Sequence, residues 1–135
     1  MVKVAVIMPV YNGGEYLDTS IQSVLNQSYR DFQLICVNDS STDNSLEILD
    51  KYASIDNRVV YLTKENAGPG LALNYGIENS QSDYLCFLDQ DDKYAPDYLE
   101  KMVAAIEKTS LDMCMCNAYL WKNDYSLEII YKDLK

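Results

Sequence analysis

The sequence contains no histidine, and this absence removes several kinds of active site from consideration. A Cys/His zinc site and the Ser-His-Asp or Cys-His nucleophile arrangements all need an imidazole. The four cysteines lie in apolar runs and form no CxxC pair, so we interpret them as small buried hydrophobic residues. The reactive groups that remain are carboxylates, hydroxyls, amides and the backbone. They favour metal-assisted chemistry or a binding role.

Basic residues are scarce, since 11 Lys and Arg face 21 Asp and Glu for a net charge of −10. Such a charge repels a phosphate backbone, which excludes a nucleic-acid-binding surface. Long apolar runs are also missing, because none approaches the roughly 20 residues of a membrane span. Residues 1–10 carry no cleavage site and predict a strand, not a signal peptide. We therefore expect a cytoplasmic protein, with peripheral association at the inner face of a membrane left open.

The chain has 135 residues, of which 48% are hydrophobic and 24% charged, as in an ordinary single globular domain. Apolar runs predict strands over 4–8, 32–37, 59–62, 84–88, 111–119 and 125–131. Helical spacing of apolar residues predicts helices over 15–27, 44–53, 69–78 and 96–106. This alternation predicts an α/β fold, with a mainly parallel sheet and helices on both faces.

Polar residues gather directly after the first four predicted strands. In an open α/β sheet the carboxyl ends of parallel strands share one edge, where ligands bind. We therefore expect one acidic, concave site at this edge. The four segments that would form it are 9–12, 38–39, 66–68 and 89–92.

The last of these segments is Asp89-Gln90-Asp91-Asp92, in which three carboxylates repel one another. A bound divalent cation removes that repulsion. Mg²⁺ and Mn²⁺ accept oxygen ligands, commonly one or two carboxylates together with diphosphate oxygens. The position directly after a strand therefore indicates a metal site for a diphosphate ligand.

Asp39 is a second candidate, because a carboxylate at a strand end can accept hydrogen bonds from a base imide and a ribose hydroxyl. We assign the turn or cap role in that loop to Asp43 instead. Asn44 with Glu47 predicts a capping box for the second helix. The loop over 66–70 places glycines before a helix N-terminus, as phosphate-binding loops do. Tyr11 is positioned to stack on a base.

Five segments, taken in this order, resemble the family 2 glycosyltransferases, whose nucleotide-sugar domain has the Rossmann-like glycosyltransferase A fold. The resemblance covers residues 3–108 and is far more specific than any one motif. The segments are Val6–Asn12, Ser23–Tyr29, Val37–Asp43, Glu65–Gly76 and Phe87–Asp92.

The resemblance implies transfer of a sugar from a nucleoside diphosphate, expected to be UDP, to an acceptor hydroxyl with inversion. The acceptor would be a saccharide or a lipid-linked glycan of the cell surface, and the cofactor Mn²⁺ or Mg²⁺. Pro9, Tyr11 and Asp39 would hold uracil and ribose, and Asp91 would be the main metal ligand. The residues expected to bind the nucleotide sugar are Pro9, Val10, Tyr11, Asn12, Asp39, Asn66, Gly68, Asp89 and Gln90, with Asp89 also assisting the metal.

The chain departs from the family at three points. Leu73-Asn74 stands where members commonly carry Arg-Asn, and Asn38 replaces a frequent Asp. The family's catalytic base and acceptor-binding segments lie C-terminal to the metal motif, so we expect the base beyond residue 135. On this interpretation residues 1–135 are one nucleotide-sugar-binding domain, truncated at its C-terminus, in which 109–135 begin the acceptor half.

Two other interpretations fit parts of the sequence. A non-catalytic nucleotide-sugar-binding fragment or module stays open, and donor hydrolysis or transfer would separate it from an enzyme. A receiver-type signalling domain has similar length and acidity, but it needs paired acids after the first strand, where this chain has Pro9–Asn12. We therefore discount it.

Overall fold

A computed structural model of the chain describes residues 1–109, 111–116, 118–123 and 126–129. Strands and helices alternate through the first four βα pairs, as the apolar pattern predicts. In chain order the elements are β1 (Val2–Val10), α1 (Gly14–Leu25), β2 (Phe32–Asn38), α2 (Ser45–Ile55), β3 (Val59–Thr63), α3 (Pro69–Glu78), β4 (Ser82–Phe87), α4 (Tyr98–Thr109), β5 (Tyr119–Asn123) and β6 (Ser126–Ile129).

Within the described residues, β1 to β4 form a parallel sheet in the order β3-β2-β1-β4. The chain runs outward from β1 to β3 and then returns to place β4 on the other side of β1. Because βαβ crossovers are right-handed, this reversal puts α3 on the face opposite α1 and α2. The switch in direction leaves a crevice between the carboxyl ends of β1 and β4.

The core is centred on β1 and β2, which are buried on both faces. Residues 4–10 of β1 and 34–38 of β2 are all buried. Ala72 of α3 packs with Ala5, Ile7, Ile35 and Val37 on one face. Strands covered on both sides need continuous apolar runs rather than alternation, and this is the pattern of the sequence here.

Cys36 lies in the middle of β2 and is fully buried. Burial in this apolar sheet raises the pKa of its thiol to about 12. The interpretation of the cysteines as small buried hydrophobic residues is confirmed for Cys36 and wrong for Cys116, which is exposed, while Cys86 and Cys114 are half-buried.

The strand predicted over 111–119 is wrong. Residues 111–116 and 118 form neither strand nor helix, and Leu111, Met113 and Met115 are exposed. The next strand begins only at Tyr119 and pairs in antiparallel fashion with β6. Two residues separate β5 from β6, and such a short connection favours local antiparallel pairing over a place in the parallel sheet. Of the sixth predicted strand, residues 126–129 are β6, while 125, 130 and 131 lie outside the described residues.

Two helix starts also differ from prediction. The fourth helix begins at Tyr98, and Pro96 lies in the turn before it. Asn44 is the N-cap residue of α2, but its side chain makes no capping hydrogen bond, so the capping box is wrong. Asp43 takes this role, because its Oδ1 accepts a hydrogen bond from the Ser45 amide at 3.0 Å.

The chain divides into two compact units, Met1–Tyr98 and Leu99–Lys135. The first unit contains the whole parallel sheet with α1, α2 and α3. The second contains nearly all of α4 and the β5-β6 hairpin. Within the described ranges, no helix is both long enough and apolar enough to cross a membrane.

Candidate functional site

A cavity of about 470 Å³ opens at the carboxyl edge of the parallel sheet, where the strand order reverses. All four strand ends contribute to it, so it is the concave site that the strand-end clusters predict. Nine of the ten predicted site residues line it. They are Pro9, Val10, Tyr11, Asp39, Asn66, Gly68, Asp89, Gln90 and Asp91.

Asp39 is the most densely bonded of these residues. Its carboxylate lies just after β2, is only 3% exposed, and receives Lys64 Nζ at 2.8 Å. The Gly68 amide donates to Oδ2 at 2.8 Å, and the Ala67 amide donates to Oδ1 at 3.0 Å. Burial by itself raises the pKa of the Asp39 carboxyl. These hydrogen bonds and the Lys64 charge lower the pKa by a larger amount, so it lies below its usual value. Asp39 is therefore an anion that fixes the loop over 64–68.

That loop leads into α3 and forms one wall of the cavity. Asn66 Nδ2 donates to the Asp39 carbonyl at 3.1 Å, which adds a further bond between the two strand ends. Gly68 has a φ of 91°, a left-handed conformation that favours glycine, and α3 begins at the next residue. The positive end of the α3 dipole therefore faces the cavity wall at Pro69.

Asn12 is the one predicted residue that does not line the cavity. Its φ is 49°, and its Oδ1 accepts from the Thr42 amide at 2.8 Å. Its own amide donates to Ser41 Oγ at 3.1 Å. The Asn12 side chain thus joins the loop after β1 to the loop after β2, and left-handed backbone is common for Asn.

Gln90 joins the loop after β1 to the loop after β4. Its Nε2 donates to the Tyr11 carbonyl at 3.0 Å, and its Oε1 accepts from the Tyr11 amide at 2.9 Å. The amide therefore bonds both backbone groups of Tyr11, whose ring is 49% exposed at the cavity. This paired contact fixes the position of the Tyr11 backbone beside the acidic loop.

The acidic loop itself presents Asp89 and Asp91 to the cavity, both exposed. The Asp92 amide closes a turn on the Asp89 carbonyl at 3.0 Å. Desolvation, and then the charges of Asp91 and Asp89, raise the pKa of Asp92. Nowhere in the part of the chain that the structure describes do three His, Cys, Asp or Glu side chains converge as a ready-made metal site. Two carboxylates at an open cavity are instead a donor set that suits a cation carried with diphosphate oxygens.

Sequence reasoning did not assign three residues of this region to the site, although Pro69 lies in the loop over 66–70 that it singled out. Pro69 and Ala72 line the cavity through α3, and Lys64 forms the ion pair with Asp39, both side chains being largely buried. Lys64 follows β3 directly, so the same strand-end rule that indicated Asp39 could have found it. Pro69 and Ala72 carry no polar signal, and only the path of α3 places them there.

Comparison with known proteins places the chain in one family, which the family model and the individual relatives both indicate. The family model described as glycosyl transferase family 2 matches residues 5–129. Glycosyltransferase GlyA of Streptococcus pneumoniae is 38% identical over 117 residues, which are 87% of this chain and 17% of that protein. A putative teichuronic acid biosynthesis glycosyltransferase, TuaG of Bacillus subtilis, is 45% identical over 102 residues, 74% of this chain and 40% of that protein. The chain thus spans less than half the length of these relatives.

Solved structures agree with the sequence relatives. S. aureus TarS in complex with UDP-GlcNAc superposes with a TM-score of 0.72 at 28% identity, over 78% of this chain and 31% of that one. The sheet has the glycosyltransferase A fold, as predicted.

Proposed function

The chain belongs to glycosyl transferase family 2, and from this membership we propose that its cavity binds the nucleoside diphosphate of a sugar donor, with UDP as the nucleotide. Transfer of the sugar to an acceptor hydroxyl with inversion would follow. The observation that carries the proposal is the meeting of nine predicted residues, from four strand ends, around one cavity at the switch point.

The nucleoside would lie on the side of β1 and β2. The exposed Tyr11 ring offers a stacking surface for a base, and Pro9 and Val10 line the same end. The Asp39 carboxylate only accepts hydrogen bonds, so it suits the N3–H of uracil and not the bare N3 of cytosine. Binding at Asp39 would share or replace one of its present donors, and the Lys64 ammonium is the one carried by a mobile side chain.

The diphosphate would lie between the start of α3 and the acidic loop. Gly68 and Pro69 bring the helix N-terminus to the cavity, and helix N-termini favour anions. Asp91, with Asp89 assisting, would hold Mn²⁺ or Mg²⁺ against the diphosphate oxygens. When bound, the cation stabilises the negative charge that develops on the departing diphosphate. Without it, the two carboxylates and the net charge of −10 would oppose a phosphate ligand.

The described residues say less about how the acceptor would bind and react than about the donor. An acidic side chain acting as general base would remove the acceptor proton, and the described residues offer none at the cavity beyond the acids already assigned to the donor. We propose residues 1–108 as the donor half and 109–135 as the start of the acceptor half. The TuaG relative supports cell-surface polysaccharide as the class of product, with a saccharide or lipid-linked glycan as acceptor.

Calorimetric titration of the chain with UDP, in Mn²⁺ and in EDTA, tests the donor site. We expect one UDP to bind in Mn²⁺, and binding to weaken when the metal is chelated. CDP and GDP serve as matched nucleotides of equal charge. Absence of UDP binding in Mn²⁺, or equal affinity for all three nucleotides, would contradict the proposal.

The second candidate function is nucleotide-sugar binding without catalysis. It is favoured by one observation, namely that the polar groups lining the described cavity all suit the donor. A sugar-transfer assay over a panel of acceptors separates the two. Donor binding without transfer or donor hydrolysis would favour the module, and turnover would favour the enzyme.

A further inference from the structure

The acidic segment (residues 89–96) crosses the cavity edge without regular secondary structure before α4 begins at Tyr98. Backbone N–H and C=O groups in such a segment need partners from elsewhere. Three side chains on one face of α1 and just after it supply them. This polar row consists of Ser20, Ser23 and Gln27, and none of the three lines the donor cavity.

The row bonds the segment at successive points along its length. Ser20 Oγ lies 2.6 Å from both the Gln90 and the Asp92 carbonyl oxygens, and these two acceptors share its single hydroxyl proton. These two carbonyls flank Asp91. Ser23 Oγ accepts from the Tyr94 amide at 3.1 Å, and Gln27 Nε2 donates to the Ala95 carbonyl at 2.7 Å.

Burial and spacing show that the row is a built feature. Ser20 is 1% exposed and Gln27 is fully buried. A step of three residues keeps Ser20 and Ser23 on one face of α1, and Gln27 follows two residues after the helix ends. A buried polar side chain costs stability unless it is bonded, and an apolar residue would serve a helix core better. These side chains therefore have a use that packing alone does not explain.

We infer that the polar row positions the acidic segment, so that Asp89 and Asp91 both face the cavity in a single conformation. Ser20 acts closest to the site, because its contacts lie on either side of Asp91. Ser23 and Gln27 fix the rest of the segment and keep it from drifting away from α1. The three are positioning residues, since they act on the diphosphate site through the acidic segment. The inference rests on the proposed donor site for its functional consequence.

The test compares Ser20→Ala, Ser23→Ala and Gln27→Ala with a matched control, Ile21→Val. Ile21 is fully buried in the same helix, so the control loosens α1 without touching the row. Hydrogen–deuterium exchange of the ligand-free protein is the first measurement. We expect exchange over 89–96 to accelerate about fivefold or more in the row variants, because each removes a part-buried hydrogen bond that ties the segment to the row. The control should leave this segment unchanged.

The second measurement is the ratio of UDP affinity in Mn²⁺ to UDP affinity in EDTA. The row variants should lower this ratio about fivefold or more, while affinity in EDTA stays close to that of the wild type. A variant that retains the hydroxyl, Ser23→Thr, should restore the ratio lost in Ser23→Ala. A general loss of stability would lower both affinities together.

Each outcome decides the matter. Exchange over 89–96 as slow in the row variants as in Ile21→Val would overturn the inference, as would faster exchange with an unchanged affinity ratio. If the wild type bound no UDP, the proposed function would fail. The exchange measurement on the ligand-free chain would still show whether the row orders the segment.

Discussion

At the scale of single residues, Asp39 combines a structural and a proposed recognition role. Its carboxylate holds the loop over 64–68 through Lys64, Ala67 and Gly68. The same carboxylate lines the cavity where a base would lie. Substitution of Asp39 alone mixes the two roles, so a second variant is needed to separate them.

We expect Asp39→Ala to weaken UDP binding and to abolish the preference for UDP over CDP. The loss should be about 1–3 kcal/mol, because a donor in the complex is left unpaired. Lys64→Met removes the ion pair but leaves the carboxylate, so it should loosen the loop and keep the preference for UDP. Calorimetry with both nucleotides measures this. A UDP preference that survives in Asp39→Ala would show that another group recognises the base.

Asp91 carries the metal prediction. Asp91→Asn removes one charge from the acidic loop, and we expect it to weaken Mn²⁺-dependent UDP binding by about tenfold or more, or ~1.4 kcal/mol. Asp31→Asn is the matched control, because Asp31 is exposed and precedes β2 at the opposite edge of the sheet. Equal UDP affinity in wild type, Asp91→Asn and EDTA would remove the metal from the proposal.

At the scale of elements, α3 lies unusually close to the sheet at Gly76. A Cβ there would come within 2.5 Å of Ile7 Cγ2 and 3.1 Å of Val37 Cγ2, both in the buried core. A β-branched side chain in a packed strand cannot move aside cheaply. The glycine therefore sets how near α3 can approach β1 and β2, and with it the position of the helix N-terminus at the cavity.

Alanine at two glycines of α3 should act with opposite signs. Gly76→Ala should destabilise the protein by about 1–3 kcal/mol, since overpacking outweighs the gain in helix propensity. Gly70→Ala meets open space and should raise the free energy of unfolding by up to about 1 kcal/mol. Urea unfolding measures both. A stable Gly76→Ala variant would mean that α3 can retreat from the sheet.

The elements show where sequence reasoning succeeds and where it stops. β1 and β2 could be predicted because strands buried on both faces must be continuously apolar, and turn residues mark their ends. The segment over 111–116 has the same apolar character, yet it forms no strand. A strand exists only with a pairing partner, and the sequence of one segment does not contain that information.

The same limit applies to the site. The strand-end rule brought Asp39, Asn66 and Asp91 to one cavity, because topology alone fixes which ends meet. It did not reveal that Asn12 turns to Thr42, or that Gln90 bonds the Tyr11 backbone. Those contacts depend on loop conformations that no periodicity encodes. That these residues bind a nucleotide sugar stays a prediction.

At the scale of the whole molecule, three carboxyl groups with lowered pKa values make the free energy of unfolding depend on pH at the acidic end of the range. The pKa of Asp56 is lowered, first by hydrogen bonding to Arg58. For Asp39 and Asp43, burial raises the pKa, but hydrogen bonds lower it by a larger amount, so both pKa values lie below the usual value. A folded-state pKa below the unfolded value means that the group stabilises the fold at neutral pH, and that this contribution is lost as pH falls. The pKa of Asp92 is raised, so this one group opposes the other three and favours the folded state as pH falls.

We therefore expect the free energy of unfolding to be level above pH 5 and to fall below about pH 4, where these carboxyls begin to take up protons. Asp56→Asn should reduce the slope, because Asp56 then no longer titrates. Urea titrations from pH 3 to 7 check both statements. A wild-type stability that rises on acidification would show that repulsion among the 21 acidic residues outweighs these bonds.

Cys36 can serve as a probe of how often the central sheet opens. Alkylating reagents attack the thiolate. Cys36 has a pKa of about 12, so almost no thiolate is present at neutral pH, and its side chain is also not exposed to the reagent. Cys116 is exposed and should be labelled first. Any later labelling of Cys36 must await separation of β2 from its neighbours, so its rate reports how often the strands part. A ligand that binds across the strand ends should slow that rate in proportion to its occupancy.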